Sequence, residues 1–310
     1  MTRPEPDELA ITSYRDFRRA TRGQTSHTLR DLYDRHYYER HVGSRELAEL
    51  YFTSLGLAPT PFTETPLKLA NVTPDDRVLD VGCGRGEVVF QSAARGATAT
   101  GVDFSDAAIE IANDTRGKQT PEIRERVTFI NGDAESLPFG DRSFTKVFLL
   151  DVVEHLEKRE LLQVLRETAR VLRDEGTLIV HTTENRWNNT YGYWLQLALA
   201  RIRRAETPKQ PTVANYQLVR SDPDLDEDKV LMHINEQSVL SLKLALSRSG
   251  FASRVWLVEP DLNLGPKPGA GDRLKKMIFR LAQLKLLYGN HIFAVATPRQ
   301  KFRVASRDRV

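Results

Sequence analysis

Cysteine is almost missing. The 310 residues hold one, Cys83, which excludes an intrachain disulfide and any metal site built on paired thiolates. A chain that needs no disulfide fits a reducing, cytoplasmic setting. Long hydrophobic runs are missing too. None approaches the roughly 18 apolar residues that a membrane-spanning helix requires. The first thirty residues are charged throughout, so a secretory leader is not expected. Nor is there an excess of one charge. The 45 basic and 42 acidic residues leave a net +3, too little to imply nucleic acid as a partner. Internal repeats and low-complexity tracts are absent. What remains is 40% hydrophobic and 28% charged, enough for a core in one large domain with additions.

One stretch organises the rest. Residues 77–81 read as an apolar strand, followed by Gly82, Gly84 and Gly86 at alternate positions, then Glu87 and the apolar start of a helix, Val88, Val89 and Phe90. A buried strand, a glycine turn and a helix make the opening of a nucleotide-binding βα unit. Glycines let backbone approach a ligand where a Cβ would clash, and the helix start offers unpaired N–H groups. A dinucleotide loop spaces its glycines G-x-G-x-x-G. Here the third falls one residue early, and Glu87 would stand beside a pyrophosphate. A ligand with an ammonium and a carboxylate but no phosphate suits this loop better, and Asp80 can attract the ammonium. A tight structural turn remains the alternative at this point.

Residues 79–86 resemble the first motif of the class I S-adenosylmethionine (SAM) methyltransferases. Further sites follow in order. A short strand at 97–102 ends in Asp103, 21 residues after Gly82, close to the spacing of about 20 for an acid that holds ribose hydroxyls. A carboxylate can accept from both hydroxyls of a vicinal diol. After a strand at 127–130 comes Asn131-Gly132-Asp133-Ala134. In the family, an Asp here accepts from the adenine amino group and the next backbone N–H meets a ring nitrogen. The resemblance therefore implies a SAM site of Asp80, Gly82, Gly84, Gly86, Asp103, Phe104, Asp133, Ala134 and Leu150. The fold it implies is an α/β, doubly wound Rossmann-like sheet of seven strands, the last one antiparallel.

The catalytic candidates lie after the fourth strand, 146–150, where ligands of open α/β sheets gather. If Asp151 starts a helical turn, Glu154 and His155 are its i+3 and i+4 neighbours on one face. Two acids and an imidazole there can act as a general base with support, His155 being the base, or hold a hard divalent ion. Some quinone-biosynthesis O-methyltransferases carry a similar E-x-x-E-H associated with magnesium. Here the first acid is the shorter Asp, so the metal is left unassigned, and a structural role for Glu154 and His155 stays open.

The organisation that follows is a helical cap at 1–60, whose Tyr33, Tyr37 and Tyr38 can line the pocket, and a SAM-binding core at 61–186. A helical insertion, or lid, spans 187–232. The core resumes at 233–298 around a second helical insertion at 259–289, and a basic tail closes the chain at 299–310. Core elements expected downstream are a helix at 158–173, a strand at 177–181 with His181 and Asn185 facing substrate, a helix at 236–249, and strands at 253–258 and 291–297. Both insert helices read as amphipathic and basic, fit to cover a greasy, lipid-like substrate or to touch an anionic membrane surface. The expected activity is SAM-dependent O-methylation of a small-molecule, lipid-linked or glycan acceptor. N- or C-methylation, SAM binding without catalysis and nicotinamide-dependent oxidoreduction are the alternatives.

Overall fold

The structure, a computed structural model, describes residues 22–41, 45–183, 185–194, 197, 198, 201, 232–258 and 289–299. Seven strands form one sheet: β1 (Arg77–Val81), β2 (Thr98–Asp103), β3 (Val127–Asn131), β4 (Phe144–Leu150), β5 (Leu172–Thr182), β6 (Phe251–Val258) and β7 (His291–Pro298). Their order is β3-β2-β1-β4-β5-β7-β6. The first five strands pair in parallel, while β7 runs antiparallel between β5 and β6. This is the expected doubly wound sheet with its last strand reversed.

The inner strands read as apolar runs because helices cover both sheet faces. Val78, Leu79 and Val81 of β1 and Val147, Phe148 and Leu149 of β4 are all buried. Leu79 and Val81 pack toward Leu165, Leu246 and Phe251 on one side. Val78 packs toward Val89, Phe90 and Ala112 on the other. Local signals start the helices. Thr60 caps α2 (Pro61–Ala70), with Pro61 as its first residue, and Ser105 caps α4 (Asp106–Gly117). Between them α3 (Glu87–Ala94) opens at Gly86. A helix at α1 (Arg45–Ser54) precedes them. Glu157 caps α5 (Lys158–Val171), and Ser238 caps α6 (Val239–Arg248).

Element boundaries moved in places. The helix expected to reach residue 173 stops at Val171, and β5 begins at Leu172. Leu172 is fully buried and pairs with Phe144 before the register shifts to Lys146 opposite Thr177. The polar run 173–176 is therefore a bulge inside a strand, not a helix end. The cap is less regular than a run of α-helices. Before α1 its described part is a 3-10 segment, Ser26–Leu32, and a π-helical turn, Tyr37–His41. The first insertion begins with a second π-helical turn, Asn188–Gly192. Residues 202–231, the second insertion up to residue 288 and the basic tail beyond residue 299 lie outside the described residues. No helix among the described residues is long and apolar enough to cross a membrane.

β1 pairs with β2 on one side and β4 on the other. The strand order reverses there, which puts the glycine turn, Asp103 and the end of β4 around one crevice.

Candidate active site

The turn after β1 is held by backbone. The Gly82 and Cys83 N–H groups donate to the Val102 carbonyl at 2.7 and 3.1 Å. Gly82 has φ +74°, and a Cβ there would fall 2.5 Å from the Val152 side chain. Glycine is required at that point by packing against the loop after β4 as well as by conformation. Gly84 is different. The nearest group to a Cβ there is the Tyr38 ring of the cap, at 3.4 Å. The space beside Gly84 that the sequence reserves for a ligand is thus faced by an aromatic ring.

Three acids surround the turn. Glu87 is neutralised by Arg85, whose Nη2 and Nε lie 2.7 and 3.1 Å from its Oε1. Arg85 is held in turn by the Tyr38 carbonyl at 2.9 Å and by the Tyr51 ring, 4.5 Å from its guanidinium carbon. The sequence reading did not foresee this pairing. Asp103 accepts from the Gly84 and Ser105 N–H groups at 2.8 and 2.9 Å and from the Tyr38 hydroxyl at 3.5 Å. Burial still lifts its pKa, against the pull of those donors. Asp80 has no such support. It is 4% exposed, and no cation stands within ion-pair distance of it among the described residues. Burial first, then the charges of Glu87 and Asp103, push it up to about 8.

Asp133 lies just beyond the neighbouring strand tip, where the Gly132 N–H donates to the Asp103 carbonyl at 3.0 Å. Its Oδ1 accepts from the Glu135 N–H at 2.9 Å, and its Oδ2 is paired with Arg30 of the cap. The Arg30 guanidinium carbon sits 5.1 Å from the Phe104 ring centroid. Ala134 follows in the same turn, and Leu150 closes β4 half-buried.

The three residues after β4 do not share a face. Asp151 adopts a left-handed conformation, φ +54°, so no helical turn starts there. The turn spans only Val153–His155. Asp151 stays exposed, with Oδ1 3.0 Å from His181 Nδ1. His181 Nε2 and His291 Nδ1 are hydrogen-bonded at 3.0 Å. Burial works to raise the Asp151 pKa, but His181, His291 and His155 outweigh it and hold the group below its ordinary value. His181 moves up, because Asp151 and Glu154 overcome burial. His291 is pushed down to about 4 by burial and by His181.

Glu154 turns inward and is fully buried. It accepts from the Thr182 hydroxyl at 2.9 Å and from the Thr183 N–H and hydroxyl, both at 3.3 Å. Burial, then Asp151, lifts its pKa to about 7. His155 Nδ1 meets the Met232 carbonyl at 3.1 Å, and its ring is edge-on to His233 with centroids 4.8 Å apart. Burial, then His233, pushes it down to about 3. Glu154, His155 and His233 each present a ligand atom within 4.8 Å of the others, and so do His27, Asp133 and Glu135, so among the described residues these are two sets that could hold a metal. Asn185 does not face a substrate. Its amide donates to the Gly289 carbonyl at 2.9 Å and its Oδ1 accepts from the Trp187 N–H at 3.1 Å, stapling the strand ends. Sequence reasoning missed Arg30, His233 and His291. Each comes from a distant segment that only the fold brings to the site.

Residues 78–176 match the methyltransferase domain family. This part of the chain is therefore similar to methyltransferase domains. Among curated relatives, the 27-O-demethylrifamycin SV methyltransferase of Amycolatopsis mediterranei (strain S699) is 37% identical over 122 residues, 39% of this chain and 43% of the relative. A demethylmenaquinone methyltransferase of Mycobacterium sp. (strain KMS) is 33% identical over 163 residues, 49% of this chain and 64% of the relative. The chain thus spans from 43% to 64% of the length of these relatives. A solved structure of geranyl diphosphate C-methyltransferase from Streptomyces coelicolor A3(2), in complex with Mg2+, geranyl diphosphate and S-adenosyl-L-homocysteine, shares the fold. Its TM-score is 0.51 at 17% identity, covering 76% of this chain and 79% of that one.

Proposed function

We propose that this protein transfers the methyl group of SAM to a hydroxyl of a small, partly apolar acceptor. One observation carries the choice of cofactor: Asp80 is a buried carboxylate beside the glycine turn with no cation among the described residues to balance it. A buried unpaired charge is costly, and a ligand that brings an ammonium removes the cost. SAM carries an ammonium and a sulfonium; a dinucleotide carries only phosphate anions at the same turn. Asp80, Gly82, Gly84 and Gly86 would hold the amino-acid end, Asp103 the ribose, and Phe104, Asp133 and Ala134 the adenine, with Leu150 below. Bound there, SAM supplies a methyl group on a positively charged sulfur, ready for in-line attack.

The chain's own contribution is to hold the acceptor and take its proton. Of the three catalytic candidates, Asp151 fits best. It is exposed at the crevice, held below the ordinary carboxylate range, with His181 3.0 Å away. His155 is less suited because its Nδ1 is taken by the Met232 carbonyl, and both Glu154 oxygens are already taken by Thr182 and Thr183. Asp151 would take the proton that the acceptor hydroxyl gives up, and His181 behind it would balance the changing charge.

Hydroxyl acceptors are favoured because a relative is named for a 27-O-demethylated substrate. An apolar, lipid-like acceptor is supported by exposed Tyr191 and Trp194 at the start of the first insertion, and a demethylmenaquinone relative points the same way. A membrane-side location and a cytoplasmic one both belong to this reading. The test is incubation of tritiated-methyl SAM with a lipid and metabolite extract. Wild-type protein should label an extractable product. Asp151→Asn should lose that label by about 100-fold or more, the range of a removed general base, while still binding S-adenosylhomocysteine. No calorimetric binding of SAM at millimolar cofactor would overturn the proposal.

A further inference from the structure

Two cap side chains end on the very carboxylates that the proposed function gives to the adenosyl group. Arg30 is paired with Asp133 and lies 5.1 Å from the Phe104 centroid. The Tyr38 hydroxyl donates to Asp103 at 3.5 Å, and its ring stands beside Gly84. The chemistry matches group by group. An adenine needs an acceptor for its amino N–H and an aromatic face to stack on. A guanidinium is planar, carries N–H donors at its edge and stacks on aromatic rings. A ribose hydroxyl is a neutral O–H donor to a carboxylate, and so is a phenol.

The fit is incomplete at one atom: Arg30 Nε is buried without a hydrogen-bond partner. The segment also has anchors that do not touch the crevice. The Ser26 N–H donates to both Glu160 oxygens at 3.2 and 3.1 Å, and Leu29 is buried with Met232 and Ile234. The Ser105 hydroxyl donates to the Tyr33 carbonyl at 2.7 Å. Arg30 can therefore leave Asp133 while the cap stays docked.

We propose that Arg30, with Tyr38, is an internal surrogate for the adenosyl group, and that the cofactor must displace Arg30 from Asp133 and Phe104 in order to bind. This rests on the SAM reading above. It makes Arg30 a competitor of the cofactor rather than a ligand to it. The competition is mild, because the pair is more than a third exposed on both sides. A half-exposed ion pair and one cation–aromatic contact each contribute little, so their relief tightens binding by about 3- to 10-fold.

The experiment is calorimetric titration of the full chain with S-adenosylhomocysteine, comparing wild type, Arg30→Ala and Arg30→Lys. Arg30→Ala should bind more tightly, by the factor above. Arg30→Lys keeps a charge but loses the flat face, and should fall between. Raising salt should narrow the gap between wild type and Arg30→Ala, because the Arg30–Asp133 pair is screened. Equal or weaker binding by Arg30→Ala overturns the inference, since Arg30 would then be indifferent to the cofactor or hold it. If neither wild type nor variant binds at millimolar ligand, the SAM reading itself falls and takes this inference with it.

Discussion

Replacing Asp80 with Asn should stabilise the cofactor-free protein and cripple cofactor binding in the same variant. In the unfolded chain Asp80 ionises near its ordinary 3.8; in the folded chain, buried and facing Glu87 and Asp103, it ionises near 8. Between those values the folded state holds a proton that the unfolded state has released. Stability therefore falls as pH rises through that window and levels off above about pH 8. About four pK units at about 1.4 kcal/mol each set an upper bound near 6 kcal/mol. A polarisable interior with an effective dielectric near 20 leaves on the order of 2–3 kcal/mol. For a domain of this size that is a Tm gain of roughly 5–10 °C in Asp80→Asn at pH 8. The assay is thermal unfolding of both proteins followed by circular dichroism from pH 4 to pH 9. The difference in Tm should be small near pH 4, grow with pH and reach a plateau above pH 8. Calorimetry on the same samples should show affinity for S-adenosylhomocysteine reduced by about 100-fold, as expected for loss of a charge-assisted contact. A pH-independent difference, or a variant less stable at pH 8, would mean that the carboxylate already has its cation. Retained affinity would put the ligand's ammonium elsewhere.

Three further outcomes are expected. Gly82→Ala forces a Cβ to within 2.5 Å of Val152 at φ +74°, and should cost about 2–4 kcal/mol in urea unfolding; an unchanged midpoint would contradict the packing argument. His155 is held down to about 3 from an ordinary 6.5, so the stability it contributes above pH 6.5 is lost as pH falls toward 3. His155→Gln should lower the number of protons taken up on unfolding at pH 5 by about one, measured from the pH dependence of the unfolding free energy. Removal of divalent ions by a chelator should leave Tm unchanged, because Glu154 is satisfied by Thr182 and Thr183, and His155 Nδ1 by the Met232 carbonyl. A drop of several degrees, reversed by added metal and abolished in His233→Ala, would assign an ion to Glu154, His155 and His233.

The placement of the proposed cofactor residues was legible because they sit in short, ordered segments. The glycine turn, Asp103 and Asp133 each lie at the end of a strand, and the parallel pairing of β1, β2 and β3 brings those ends together without help from the rest of the chain. The placement of the proposed catalytic residues was not legible. Spacing placed Asp151, Glu154 and His155 on one helical face, but a helix needs helical backbone, and Asp151 sits at φ +54°. That one residue turns its own side chain toward β5 and β7, and the partners it meets, His181 and His291, are 110 positions apart in sequence. Periodicity carries no information about such a contact. The same holds for Arg30, which lies 103 positions from Asp133.

The choice between a phosphate-bearing and a sulfonium-bearing cofactor comes down to charge at one strand end. Two unit charges 4 Å apart interact by about 4 kcal/mol at an effective dielectric of 20. A pyrophosphate at the glycine turn would meet that term wherever Asp80 is ionised, or else hold Asp80 protonated, and Arg85 offers little relief because Glu87 already holds it at 2.7 Å. An ammonium meets the same term with the opposite sign. It would also return Asp80 toward its ordinary range, so binding should release a proton near pH 7.5, where Asp80 is mostly protonated in the free protein. Calorimetric titrations with S-adenosylhomocysteine in two buffers of different ionisation enthalpy measure that release directly. Between about half a proton and one per ligand is expected at pH 7.5, falling toward zero in Asp80→Asn. Binding without proton release would mean that Asp80 is ionised before the ligand arrives, and the electrostatic case for a cationic cofactor would have to rest on some other group.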